Sequence, residues 1–328
     1  MTAKRKPALG AKPLEGRVAV VAGATRGAGR GIAVALGEAG ATVYCTGRST
    51  RGKPSPMNRP ETIEETAELV TAAGGVGIAV RVDHTVEAEV KALFAQVQRE
   101  QKRLDVLVND IWGGDNAGDW FWKPLHSTDV EAGWVLMRQA IFSHLITSRV
   151  AGPIFVKQKR GLIVEITDGD TLAYRGALFY DLIKTSVMRI AFAMSEEMRR
   201  HKVAVVAVTP GFLRSEAMLA NFGVTEANWR DAGKKDKHFL ASETPALVGR
   251  SVAALAADPK VFRFTGQTLA SWELARTYKL KDVDGSRPDW GTHFRKNIPA
   301  THFGKRWTER GLEWQESIRK RTLKYLGK

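Results

Sequence analysis

Residues 17–36, RVAVVAGATRGAGRGIAVAL, run a short β-branched apolar stretch into a glycine-rich turn and then into apolar residues at helical spacing. Strand, glycine turn and helix in that order have a specific physical use. Glycines let the backbone turn tightly and approach a pyrophosphate, whose charge then lies among the free N–H groups of a helix N-terminus. Gly23, Gly27 and Gly29 form the turn, and Thr25, Arg26 and Ala28 complete it. These six are the first candidates for binding a dinucleotide. Close helix packing is the plainer use of the same glycines.

Outward from this unit the chain keeps alternating short apolar runs with longer helical patterns to about residue 210. The runs are RVAVVA (17–22), ATVYCT (41–46), GVGIAVRV (75–82), LDVLVN (104–109), GLIVEIT (161–167) and VAVVAV (203–208). Several are apolar on both faces, as parallel strands covered by helices on each side must be. Between them ETIEETAELVTAA (61–73) and VEAEVKALFAQVQREQK (86–102) place apolar residues at three- and four-residue steps. The pattern predicts an α/β fold, a doubly wound parallel sheet forming a single domain over residues 17–275. Two segments interrupt it, GRSTRGKPSPMNRP (47–60) and residues 211–243. Both follow strand ends, where ligands bind in such sheets, and both read as loops covering a site. After residue 275 a Pro/Gly-containing stretch leads to a terminal helix in KRWTERGLEWQESIRKRTLKYL (305–326), read as an appendage.

The 328 residues make one large domain or two small ones at roughly 150 residues each. With 44% hydrophobic and 26% charged residues, the chain is neither disordered, nor collagen-like, nor a coiled coil. The formal charge of +15 sits at the ends: residues 1–17 are net +4 and residues 276–328 net +8, leaving +3 elsewhere. The basic N-terminal tail (1–16) and the basic C-terminal extension (276–328) therefore read as solvated ends or as a contact for an anionic partner. No helix-turn-helix, zinc-finger or stacking-aromatic signature accompanies them, so no nucleic-acid role is expected. No apolar run approaches the ~18 residues of a membrane helix, and the first residues lack the apolar stretch of a secretion signal. A cytoplasmic location with no membrane partner is expected. The lone Cys45 allows no intramolecular disulfide and no cysteine metal cluster, and no metal is expected.

The end of the second strand bears on which dinucleotide binds. Readers of an unphosphorylated ribose place an acidic residue there, about 20 residues after the glycines. Here Gly47, Arg48 and Ser49 occupy the turn, and Arg26 lies in the glycine loop. Two guanidinium groups suit a 2′-phosphate, which predicts NADP(H) as the cofactor, with Arg51 and Lys53 adding field strength.

YDLIK sets Tyr180 and Lys184 four apart, on one face of a helix. A phenol with an ordinary pKa of about 10 is a poor acid–base group at neutral pH, and a neighbouring ammonium lowers that value. Such a tyrosine exchanges a proton with a carbonyl or alcohol oxygen while hydride moves.

Five motifs in order resemble those of the short-chain dehydrogenase/reductase family, over about residues 14–271. AGATRGAG resembles its glycine motif, with Ala22 in place of a threonine. Asp83, followed by His84, falls where the family's Asp meets adenine, and Asn109 opens what is usually N-N-A-G. Tyr180 and Lys184 match the catalytic pair, with Lys184 implied also to hold the nicotinamide ribose. Pro210 and Gly211 match the turn beside the nicotinamide, and Ser215 stands at its downstream Thr position. The resemblance implies a Rossmann fold, NADP(H) and a homodimer or homotetramer.

The departures matter equally. Asp110 and Trp112 stand where Asn and Gly are usual. The serine that hydrogen-bonds the substrate oxygen is replaced by Thr167, counting back from Tyr180, or by Asp168, aligning the strand. An Asp there, close to Asp170 and Asp110, serves if desolvation keeps it protonated so that it donates to substrate or tunes Tyr180. The helix asparagine behind a proton-relay water corresponds to Ala140, with His144 one turn on as a replacement or a structural residue. Trp112, Trp120, Phe121, Trp122 and Trp134 offer a wall for a bulky apolar carbonyl compound, or a subunit contact. Phe212, Leu213, Met218, Leu219 and Phe222 form a mobile lid within 211–243. The expected activity interconverts a carbonyl and an alcohol on a bulky or apolar small molecule. The rivals are a nucleotide-binding regulator without turnover and a redox-neutral epimerase or dehydratase.

Overall fold

Five of the six runs read as strands bury both faces, and the run at the sheet edge, Val76–Arg81, is only half buried. In the first, Val18 and Val20 join the core on one side of the sheet while Ala19 and Val21 join the core on the other. The computed structural model describes residues 12–55, 57–114, 123–172, 174–297 and 305–327. Its strands are β1 (Val18–Ala22), β2 (Thr42–Gly47), β3 (Val76–Arg81), β4 (Val106–Asn109), β5 (Gly161–Ile166), β6 (Val203–Thr209) and β7 (Thr268–Ala270). All pair in parallel, in the order β3-β2-β1-β4-β5-β6-β7. The strand order reverses between β1 and β4, and the crevice beyond the carboxyl ends at such a reversal is where ligands sit.

The helices are α1 (Gly27–Glu38), α2 (Ile63–Ala72), α3 (Glu87–Gln101), α4 (Val130–Met137), α5 (Ser143–Gln158), α6 (Leu178–Met198), α7 (Glu216–Phe222), α8 (Pro245–Ala257), α9 (Ser271–Tyr278), α10 (Trp290–Asn297) and α11 (Lys305–Tyr325). A π-helical turn, Arg138–Phe142, joins α4 to α5. Such turns widen a helix locally and occur often at functional sites.

Two features depart from the sequence reading. β7 extends the sheet with three residues, too few to leave a pattern. The segment 211–243 is not simply a loop: Ser215 caps α7 by accepting from the Met218 N–H, and Gly223 ends it in the left-handed conformation. Phe212, Met218, Leu219 and Phe222 pack with Trp229 and Phe239 into a small core of their own, the Phe222 and Phe239 rings 4.5 Å apart. Trp120, Phe121 and Trp122 lie outside the described residues.

Candidate active site

A cavity of about 690 Å³ opens at the reversal point, lined from the glycine turn to the Pro210–Gly211 turn. Gly23 and Gly29 show why the turn excludes side chains. A Cβ on Gly23 would stand 2.3 Å from the Asp110 carbonyl oxygen, and one on Gly29 would stand 2.2 Å from the Gly23 carbonyl oxygen. Gly23, Thr25, Arg26, Gly27 and Ala28 line the cavity, whereas Gly29 serves behind it, its N–H held by the Asp110 carboxylate. Arg26 precedes α1 without capping it, and no acidic residue stands in the first turn of α1. The Gly27 N–H instead donates to Glu216 Oε2 at 2.8 Å, a carboxylate brought from α7 onto an anion-binding amide.

At the end of β2, Arg48 and Ser49 line the same cavity. Arg48 donates from Nη2 to Gln139 Oε1 at 3.1 Å, and its Nη1 is 4.0 Å from Asp83. Arg26 is not held ready by itself: its Nε pairs with Glu61 at 3.3 Å, and Glu61 also pairs with Arg59. Burial pushes the Glu61 carboxyl up, but Arg59 and Arg26 outweigh it and hold the group below its usual range. Arg26 Nη2 is buried with no hydrogen-bond partner among the described residues. An orphaned guanidinium donor in the same cavity as Arg48, with an amide already holding a carboxylate, fits a ligand carrying a phosphate and a pyrophosphate. Arg51 and Lys53 lie outside the cavity lining, and Arg51 is spent on Glu68 at 2.7 Å.

Asp83 lines the cavity, its Oδ1 accepting from the N–H and hydroxyl of Thr85. His84 lines the cavity too and is held in the wall by both of its ring nitrogens. Its ring nitrogens lie 2.8 and 2.9 Å from the hydroxyls of Thr46 and Thr147, and burial presses its pKa down to about 3, leaving it neutral. Asn109 departs from the expectation: it is fully buried and does not line the cavity. Its Nδ2 donates to Ser148 at 2.8 Å and to Glu165 at 2.7 Å. Glu165, also fully buried, meets His144 Nδ1 at 2.6 Å, and His144 Nε2 lies 3.0 Å from the Ile111 carbonyl. His144 thus ties the strand-to-loop corner from behind, while Ala140, at the π turn, is buried.

Tyr180, Lys184, Thr167 and Asp168 meet at one end of the cavity. The two serine candidates separate here. The Thr167 hydroxyl is spent on the Lys184 backbone carbonyl at 2.8 Å, whereas Tyr180 Oη donates to Asp168 Oδ2 at 2.7 Å. Arg175 Nε donates to the Asp168 carbonyl at 2.6 Å and its Nη1 pairs with Asp181, which fixes the loop that presents Asp168. Tyr180 does not have the lowered pKa expected beside an ammonium. Burial and then the Asp168 charge hold it well above the ordinary phenol value, because a carboxylate accepting the phenolic proton favours the neutral phenol. The Lys184 ammonium lies 4.8 Å from the Trp112 ring centre and 5.5 Å from that of Tyr180. Burial raises Asp110 to about 6 against the pull of Lys184.

Pro210, Gly211 and Ser215 close the far side of the cavity. Two further lining residues escape a linear reading: Gln139 needs the π turn, and Trp290 arrives from beyond residue 275. Glu216, which meets the Gly27 N–H from outside the lining, needs the fold of α7. Glu165 did leave a signal, a lone charge inside an apolar strand that demands partners.

The family model described as short chain dehydrogenase matches residues 17–223. The chain is 37% identical over 281 residues to the mouse (Mus musculus) protein named dehydrogenase/reductase SDR family member 1, covering 83% of this chain and 85% of that protein. The human protein of that name is 36% identical over 282 residues, covering 84% and 86%. A crystal structure of a short chain dehydrogenase from Mycobacterium thermoresistibile superposes with a TM-score of 0.69 at 19% identity, covering 85% of this chain and 92% of that one. With the parallel seven-stranded sheet and the ordered motifs, these matches place the chain in the short-chain dehydrogenase/reductase family, whose members are oxidoreductases using nicotinamide coenzymes.

Proposed function

We propose that the protein is a cytoplasmic NADP(H)-dependent oxidoreductase that interconverts a carbonyl and an alcohol on a bulky or apolar small molecule. The observation that carries this is the Tyr180–Asp168 hydrogen bond, 2.7 Å long, in the same cavity as the glycine turn and Lys184. Arg26 and Arg48 would take the 2′-phosphate, the amides of the glycine turn the pyrophosphate, Asp83 the adenine, and Lys184 the nicotinamide ribose. When bound, the coenzyme exchanges a hydride with the substrate carbon.

The protein moves the proton. In the alcohol-to-carbonyl direction, Tyr180 takes the proton from the alcohol oxygen as its own passes to Asp168. In reduction Asp168 first takes up a proton from solvent and passes it to Tyr180 as Tyr180 gives its own to the substrate oxygen. Neither direction leaves a free phenolate, which removes the penalty that burial puts on one. The reading includes a homodimer or homotetramer, for which exposed Leu145 on α5 and Leu182 and Phe192 on α6 offer apolar surface.

Purified protein screened against ketones and aldehydes, with NADPH and with NADH, tests the proposal. NADPH is expected to bind more tightly than NADH, and Tyr180→Phe to remove turnover by at least about 10²-fold while leaving coenzyme binding intact. Tight NADPH binding without turnover of any carbonyl would support a regulator instead. Product formed without net coenzyme change would support a redox-neutral enzyme.

A further inference from the structure

The matched family region ends at residue 223, yet one side chain of the cavity comes from far beyond it. Trp290, the first residue of α10, stands over the Pro210–Gly211 turn. A Cβ on Gly211 would lie 2.8 Å from the Trp290 Cβ, so the Gly211 backbone and the Trp290 side chain meet with no room for another side chain between them. The indole packs against Phe212, ring centres 5.3 Å apart and planes at 69°. On its other side it stacks on His293 at 5.4 Å and 20°.

This position is built rather than incidental. Three anchors fix the segment that delivers the ring. Asp282, almost fully buried, accepts from the Thr244 N–H at 2.8 Å and from the Thr244 hydroxyl. Asp289 pairs with Arg276 of α9 and caps α10 by accepting from the Thr292 N–H at 2.9 Å. His293 Nε2 meets His238 Nδ1 of the 211–243 segment at 3.0 Å. An aromatic ring held this way has paid its ordering cost before any ligand arrives, which is how pre-organised binding walls gain affinity.

Trp290 and Tyr180 line one continuous cavity, and Phe212 and Met218 add apolar surface on Trp290's side. We propose that Trp290 is a specificity-determining residue: it forms the wall that receives the apolar part of the substrate and favours flat, ring-bearing carbonyl compounds over short aliphatic ones. This inference rests on the carbonyl–alcohol reading above. It assigns the C-terminal segment up to α10 a share in the site.

The test compares wild type, Trp290→Ala and Trp290→Phe with 2-naphthaldehyde and butanal under saturating NADPH. Trp290→Ala is expected to raise KM for 2-naphthaldehyde about tenfold with kcat little changed, and to alter kcat/KM for butanal by less than about twofold. Trp290→Phe is expected to recover most of the loss, and the NADPH dissociation constant to stay unchanged in both variants. Equal changes for the two aldehydes, or none, would overturn the assignment. A second measurement needs no turnover: equilibrium dialysis of 2-naphthol with the NADP⁺-loaded protein is expected to show about tenfold weaker binding in Trp290→Ala. An unchanged constant there overturns the role of Trp290 by itself, whereas wild type that binds 2-naphthol but turns over neither aldehyde overturns the carbonyl reading.

Discussion

Asp168 changes what Tyr180 is able to do. A serine at that position would donate a hydrogen bond to the substrate oxygen, but a carboxylate only accepts when ionised, and here it accepts from the phenol itself. The consequence is a tyrosine held protonated well above its ordinary pKa by burial and by the neighbouring charge. A proton-passing pair needs both members, so Asp168→Asn, which keeps the shape but takes up no proton, is expected to lower kcat by roughly 10²-fold. The pH profile carries the sign. Reduction along this path starts with a proton on each of the two groups, so activity falls as pH rises. In Asp168→Asn only the phenol has to hold a proton, and the carboxylate that raised its pKa is gone, so the alkaline limb is expected to move up to about 10. Initial rates of reduction between neutral pH and the alkaline limit of stability check both expectations. Full turnover with an unmoved limb would show that Asp168 is only a loop cap.

At the scale of elements, α7 is the piece that both covers the site and blocks part of it. Its first residue, Glu216, puts a carboxylate on the Gly27 N–H, and Arg30 of α1 lies 3.7 Å from the same group. A pyrophosphate arriving at the glycine turn competes for that amide, so coenzyme binding must displace the carboxylate and with it the start of α7. Glu216→Gln keeps the shape but removes the charge, and it is expected to tighten NADPH binding by about three- to tenfold, measured by coenzyme fluorescence titration. Weaker or equal binding would mean that Glu216 moves aside without cost. This contact also marks where linear reading stops. The glycine turn, the Tyr180–Lys184 pair and six of the seven strands were legible because each is a local pattern. Glu216 and Gly27 are brought together only by β6 and the turn after it, and Gln139 faces the cavity only because one helical turn widens. Asn109 shows the same limit: Glu165 and Ser148, distant in sequence, hold its side-chain amide.

For the molecule as a whole, buried ionisable groups set how stability varies with pH, and the site is joined to that balance through Glu243. This fully buried carboxyl accepts from Ser271 Oγ at 2.6 Å and from the Gly211 N–H, linking the cavity wall to α9. Burial pushes its pKa up to about 8, and Asp110 is likewise raised to about 6. A raised carboxyl contributes stability that is full below its unfolded value and is lost as pH rises through the folded one. For Glu243 the loss accrues between the ordinary glutamate value of 4.5 and about 8. His84 acts at the other end. Its depressed value of about 3 means its contribution is present above 6.5 and lost as pH falls towards 3. Stability is therefore expected to peak in mildly acidic solution and to decline on both sides. Glu243→Gln removes the alkaline loss while leaving an acceptor for Ser271. Its Tm, followed by circular dichroism, is expected to exceed that of the wild type by about 3–6 °C at pH 9 and to differ little at pH 5. A Tm difference that is the same at both pH values would show that the substitution acts through packing alone and that Glu243 does not titrate in the folded protein.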